Sequence, residues 1–278
     1  MLVTKFAAVL FVTYILRIMK RKTIRALSIF IFLYVTFGIY LSLNQTKVVY
    51  HPSPQDFASC EYFADAQKVN HQGTRMYVET NEKKPTVILY HGNAGSACNR
   101  YFYADMFSQA GYGYIVVEYA GYSNDTQAPS HALIKQDVES VVSYLDDYQL
   151  SSVYVVGVSI GTGAATYHTS LKAPEKLLLI SPFTDLQAVA KDRFWFYPTS
   201  LLVDNAFDNV SALENYSGDT TIIHGTADTI IPYALGQELF QSLSGSKKLI
   251  SIPEAGHNDL FRHAVMYQAI NEFLEESP

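Results

Sequence analysis

A chain of 278 residues, 49% hydrophobic and 17% charged, can bury a large core within one domain and is neither disordered nor fibrous. Its formal net charge of −6 and pI near 5.7 give no electrostatic footprint for nucleic acid. Two cysteines, Cys60 and Cys98, lie far apart without C-x-x-C or metal-ligand spacing, and stand as either one disulfide or two free thiols.

At the amino terminus, residues 24–43 read IRALSIFIFLYVTFGIYLSL with only Arg25 charged. About twenty such residues cross ~30 Å of hydrocarbon as a helix, so a transmembrane anchor is expected there. No A-x-A-like cleavage site follows, and the anchor is expected to stay uncleaved. Ahead of it, residues 1–23 hold a shorter apolar run at 6–16, flanked by Lys5 and Arg17. That run is open between a first span, an interfacial helix and a signal-like segment. Arg17, Lys20, Arg21, Lys22 and Arg25 then form a basic loop. By the positive-inside rule this loop stays in the cytoplasm, which puts the domain beyond residue 44 on the non-cytoplasmic side.

Residues 44–278 read as one catalytic domain. After a proline-bearing linker at 48–56, residues 74–79 alternate like an edge strand. Residues 85–90 suit a strand buried on both faces and lead into the turn His91-Gly-Asn-Ala-Gly-Ser96 and a helix over 99–110. Next come a strand at 114–118 and a helix at 132–145, where Ile134, Val138, Val141, Val142 and Leu145 share one face. Strands at 153–156 and 176–180 bracket a helix after Ser159, and the alternation resumes at 221–224, 233–243, 248–252 and 260–274. This pattern predicts an α/β fold, a mostly parallel sheet with helices on both faces. The stretch 183–218 breaks the rhythm. It carries Phe194, Trp195 and Phe196 and is expected to be a lid-like insertion whose rings bind substrate, against the alternative of ordinary helix packing at a sheet edge.

Chemistry enters at Gly157-Val-Ser159-Ile-Gly161, with β-prone residues before and small residues after, the context of a nucleophile elbow. A serine hydroxyl is a poor nucleophile near neutral pH, so it needs a base and a group that orients the base. Asp228 and His257 follow in the required order, each in the turn past a strand's carboxyl end, where open α/β sheets place ligands. Asp185 is the competing acid. Among the other histidines, His224 reads as a core residue of its strand, His91 as an organiser of its turn, and His168 and His263 as helical; Asp259 reads as a cap of the last helix. The amides of Ile160 and Asn93, with Ala94 the near alternative to Asn93, are the expected oxyanion donors. The chemistry calls for no metal and no organic cofactor.

Together, His91-Gly-Asn-Ala-Gly-Ser, Gly157-Val-Ser-Ile-Gly-Thr-Gly-Ala-Ala, His224-Gly-Thr-Ala-Asp-Thr-Ile-Ile-Pro and Gly256-His-Asn-Asp resemble the membrane-anchored α/β-hydrolase-domain serine hydrolases. The resemblance covers roughly residues 48–275. It implies the α/β-hydrolase fold and cleavage of carboxylic esters or acyl thioesters, on lipids or acylated proteins, through an acyl-enzyme. One block departs: the group's Asp-Tyr-Arg-Gly-Tyr-Gly stands here as Glu118-Tyr-Ala-Gly-Tyr-Ser123, so Ala120 replaces an arginine that would anchor this loop. The competing readings are a serine peptidase or amidase of the same fold and a catalytically silent interaction module. The expected partners are the acyl substrate and the lipid bilayer, with no nucleic acid.

Overall fold

The computed structural model describes residues 2–81, 83–203 and 207–275. It divides into two units, residues 1–45 and residues 46–278.

The first unit is a single helix, α1 (Leu2–Leu43), of 42 residues. At 1.5 Å per residue it runs roughly 60 Å, about twice the thickness of bilayer hydrocarbon. Residues 16–43 are long and apolar enough to cross a membrane, and Leu27, Phe30, Phe32 and Phe37 are exposed. The apolar run at 6–16 lies largely outside the described side chains. The basic stretch expected as a loop at 17–25 is helical instead. No glycine or proline interrupts it, and Arg, Lys and Met are good helix formers. The hydroxyls of Thr23 and Ser28, which could compete with the backbone, donate back to the Met19 and Ile24 carbonyls at 3.0 and 2.9 Å.

After a short helix, α2 (Gln45–Val49), come β1 (His51–Pro52), β2 (Gln67–His71), β3 (Thr74–Glu79), β4 (Thr86–Tyr90), β5 (Ala94–Gly95), α3 (Tyr101–Gln109), β6 (Gly113–Glu118) and α4 (His131–Asp147). The chain continues through β7 (Val153–Val158), α5 (Gly161–Leu171), β8 (Lys176–Ile180), α6 (Leu186–Arg193), α7 (Thr199–Leu202), α8 (Asn209–Ala212), β9 (Asp219–Gly225), α9 (Tyr233–Ser242), β10 (Lys247–Ile252) and α10 (Ala264–Glu275). Eight strands form one sheet in the order β10-β9-β8-β7-β4-β6-β3-β2, parallel up to β6 and antiparallel at β3 and β2. Strand β3, expected at the edge, is therefore interior. The actual edge, β2, is too polar to stand out, since Val69 is its one aliphatic residue.

Successive strand residues point to opposite faces, so two cores flank the sheet. Ile88, Ile115, Val155 and Leu179 pack on one side with Val138 and Val141 of α4, Ala165 of α5 and Leu239 of α9. Val87, Val116, Val156 and Leu178 pack on the other with Phe107 of α3 and Ile270 and Phe273 of α10. Outside the main sheet, β1 pairs in parallel with β5. A disulfide joins Cys60 to Cys98 in the 3-10 turn just past β5. The first stretch of the domain is thus fastened to the loop that follows β4.

The loop after β6, where Ala120 stands for the arginine, is anchored from outside itself. Arg75 of β3 donates to the carbonyls of Tyr122 and Ser123 at 2.7 and 3.1 Å and pairs with Asp125 at 3.4 Å. Its start is held by buried Asp137 of α4, which accepts from the Ala120 amide and the Thr74 hydroxyl, each at 2.8 Å. Burial lifts the Asp137 carboxyl from 3.8 to about 6, against the lowering effect of those two hydrogen bonds. The folded value exceeds the unfolded one. The contribution to stability is thus complete below about pH 4 and is lost as pH climbs through about 6. Asp137→Asn is expected to flatten that part of the profile, read by denaturant unfolding between about pH 4 and 7.

Candidate active site

Strand β7 delivers Ser159 at its carboxyl end with φ of 55°, in the left-handed region that non-glycine residues rarely occupy. The glycines on either side are required by close approach. A Cβ on Gly157 would lie 2.7 Å from the Ala165 Cβ, and one on Gly161 would lie 2.2 Å from the Tyr90 carbonyl oxygen. The turn is fixed further by the Ser159 amide, which donates to the Ile180 carbonyl at 2.8 Å, and by Thr162, whose hydroxyl donates to the Ser159 carbonyl at 2.7 Å.

The turns past β9 and β10 bring Asp228 and His257 to this serine. The Ser159 hydroxyl lies 2.9 Å from His257 Nε2, and His257 Nδ1 lies 2.7 Å from Asp228 Oδ2. The other carboxylate oxygen, Oδ1, accepts the amides of Ile230 and Ile231, both at 2.9 Å. Buried His224 directs Nε2–H to the Ile231 carbonyl at 3.0 Å and lies 3.3 Å from Asp228 Oδ2. Burial alone would raise the Asp228 carboxyl, but the hydrogen bonds from His224 and His257 outweigh it and hold the group well below the usual carboxylate range. A carboxylate on Nδ1 fixes the imidazole tautomer that leaves Nε2 bare to accept the serine proton.

The competitors fall elsewhere. Asp185 caps α6, accepting the Ala188 amide at 2.8 Å. His168 is fully buried against the Tyr90 hydroxyl, and burial pushes its pKa down to about 3. His263 sits one residue ahead of α10 rather than within it. Asp259, expected as a helix cap, makes no capping bond. It accepts the Gly256 amide at 2.7 Å and so braces the turn that presents His257. The amides of Ile230 and Ile231 carry no side-chain signature, and sequence reasoning missed them for that reason.

On the other side of Ser159 lies the turn after β4. A Cβ on Gly92 would sit 3.5 Å from the Ser159 Cβ, so this backbone runs against that serine. Asn93 is held through its side-chain oxygen and its carbonyl. Its side-chain oxygen accepts from the His51 amide at 2.9 Å, and its carbonyl accepts from the Tyr122 hydroxyl at 2.9 Å. Neither the Asn93 nor the Ile160 amide donates to a protein acceptor among the described residues. Two unspent donors beside one serine can stabilise an anionic oxygen there.

The 183–218 stretch carries α6, α7 and α8, with residues 204–206 outside those described. Its ends meet: Asp185 bridges Asp208, and the Asn209 amide donates to the Thr184 carbonyl at 2.9 Å. Phe207 docks it on α5, where a Cβ on Gly163 would lie 2.4 Å from the Phe207 ring. Phe194 is half-buried, while Trp195, Phe196 and Leu201 are exposed to 80%, 47% and 81%.

No protein-family model matches the chain. An uncharacterized protein of Mycobacterium tuberculosis is 26% identical over 282 residues, covering 93% of this chain and 98% of its own. The lysophosphatidylserine lipase of Bos taurus is 27% identical over 226 residues, which cover 69% of this chain and 56% of the lipase. Among solved structures, an esterase from Exiguobacterium antarcticum superposes with a TM-score of 0.59 at 18% identity, covering 76% of this chain and 100% of that one. The likeness establishes the α/β-hydrolase fold.

Proposed function

We propose that this chain, a member of the α/β-hydrolase-domain serine hydrolases, cleaves carboxylic esters or acyl thioesters through an acyl-enzyme on Ser159. The observation that carries this reading is the unbroken line from Ser159 Oγ to His257 at 2.9 Å and on to Asp228 at 2.7 Å. Ser159 Oγ attacks the acyl carbon while His257 Nε2 takes its proton, and Asp228 stabilises the imidazolium. The developing oxyanion is held by the amides of Asn93 and Ile160. His257 then gives its proton to the departing alkoxide or thiolate. A water, deprotonated by the same histidine, releases the acid.

Lipid or protein-bound acyl groups are the substrate class proposed. The lysophosphatidylserine lipase among the relatives supports it. So do the exposed rings of Trp195 and Phe196 on the 183–218 excursion, which with Phe194 are proposed to receive the acyl chain. The apolar segment 24–43, within the candidate span 16–43, is proposed as a membrane anchor, with the catalytic domain on the non-cytoplasmic side. The basic residues 17–25 support that orientation, as does the Cys60–Cys98 disulfide, since disulfides persist in oxidising compartments.

A fluorophosphonate probe tests the mechanism: labelling that survives Ser159→Ala would overturn it. Hydrolysis of p-nitrophenyl esters of graded chain length, set against aminoacyl anilides, tests the substrate class, and faster cleavage of the anilides would point to a peptidase. Protease accessibility of the domain in right-side-out vesicles tests the orientation, and protection of the domain would reverse it.

A further inference from the structure

Two polar atoms are stranded directly behind the proposed oxyanion turn. His91 Nε2 and Glu118 Oε1 are both fully buried, have no hydrogen-bond partner, and face each other at 3.6 Å. Every other polar atom of the pair is engaged. Glu118 Oε2 accepts from the Ser123 hydroxyl at 2.6 Å and the Ala97 amide at 3.1 Å. His91 Nδ1 lies 2.7 Å from the Gly92 carbonyl oxygen. A carbonyl oxygen only accepts, so Nδ1 carries a hydrogen and donates it. Were Nε2 then a bare acceptor, its lone pair would point at a carboxylate oxygen in the buried interior. A single proton between Nε2 and Oε1 removes that repulsion, whichever atom holds it. Among the described residues no other charged side chain bonds to these two atoms: the His91 ring is walled by Tyr119 at 4.2 Å and Tyr122 at 5.3 Å, and Arg100 donates to the Ala94 carbonyl.

The carbonyl that receives Nδ1–H belongs to the same peptide group as the Asn93 amide. Drawing electron density toward that oxygen leaves the amide hydrogen more positive, because amide resonance couples the two ends of the group. We propose that Glu118 and His91 act as a proton-sharing pair that polarises and positions the Gly92–Asn93 peptide, so that the Asn93 amide stabilises the oxyanion more strongly than an unassisted amide would. They are positioning residues, acting through Asn93, and the proposal rests on Asn93 being the donor inferred above.

The test uses the full chain and compares Glu118→Gln, His91→Gln and the double variant. Glu118→Gln keeps the shape and an acceptor for Ala97 and Ser123 but puts an NH2 where the proton-sharing oxygen Oε1 stood. It is expected to lower kcat roughly tenfold, a fraction of the 10²–10³ lost with a whole donor, while KM stays unchanged. A trifluoromethyl ketone, which forms a hemiketal oxyanion on Ser159, should weaken by the same factor, whereas the matching methyl carbinol, which forms none, should bind as before. The double variant should be no slower than His91→Gln alone, since both changes cut one line. Unchanged kcat, equal weakening of ketone and carbinol, or additive losses would each overturn the proposal. If Glu118→Gln does not yield folded protein, His91→Gln carries the same ketone and carbinol comparison. Loss of activity in Ser159→Ala beside an unaffected Glu118→Gln would sink the proton-sharing pair alone. Activity that survives Ser159→Ala would instead sink the reading beneath it.

Discussion

Ser159→Ala is expected to lower kcat for ester hydrolysis by on the order of 10⁶-fold and to abolish fluorophosphonate labelling. On the proposed mechanism the loss is that large because a base without its nucleophile leaves only donors and binding to act on the substrate. KM should change little, since the hydroxyl meets the acyl carbon mainly in the transition state. The fold should hold. The elbow is fixed by the Ser159 amide and carbonyl, which bond to Ile180 and Thr162 and are untouched by removal of Oγ. A thermal midpoint within a few degrees of wild type would show that the loss is chemical rather than structural.

Asp228→Asn is expected to lower kcat by roughly 10⁴-fold, and the geometry says why. The amide oxygen would keep the Ile230 and Ile231 amides, which leaves the amide nitrogen facing His257 Nδ1. Two donors cannot pair, so the imidazole shifts its hydrogen to Nε2 and presents Ser159 with a donor instead of an acceptor. Asp185→Ala is the contrasting variant: it should cost about 1 kcal/mol of stability through the lost α6 cap and leave kcat unchanged. A matching pH effect follows from the depressed Asp228 carboxyl. Its folded pKa lies below the unfolded 3.8, so its contribution to stability is complete above about pH 4 and is lost as pH falls through the depressed value. The Asn variant lacks that acid-side loss, which denaturant unfolding at low pH would show.

Much of this arrangement can be read before any coordinates, and the reason is local. Gly157 and Gly161 are forced by backbone contacts within one strand-turn-helix unit, and Asp228 and His257 stand next to short aliphatic strands that announce their own ends. What stays hidden depends on partners distant in sequence. Arg75 supplies from β3 the guanidinium that Ala120 lacks, a substitution across 45 residues that no motif registers. Strand β2 is an edge with one aliphatic residue, and its membership of the sheet is decided by β3 rather than by its own composition. The pairing of Cys60 with Cys98 is decided in the same way, by two backbone segments meeting beside β5. The bracing of Asp228 is hidden for another reason: backbone amides donate to it, and every residue has one.

The β1–β5 pairing bears on how a soluble form of the enzyme should be made. His51 is the residue whose amide holds the Asn93 side chain, and it stands only a few positions past α1. A truncation meant to discard the apolar helix has a narrow margin. A chain beginning at Thr46 keeps the clasp on Asn93, while one beginning at Gln55 keeps the serine, the histidine, the aspartate and the disulfide and loses the strand that holds the turn after β4. If the Asn93 amide is the oxyanion donor proposed above, such a protein is expected to turn over poorly even where it folds, and the cause would be the missing strand rather than the missing helix.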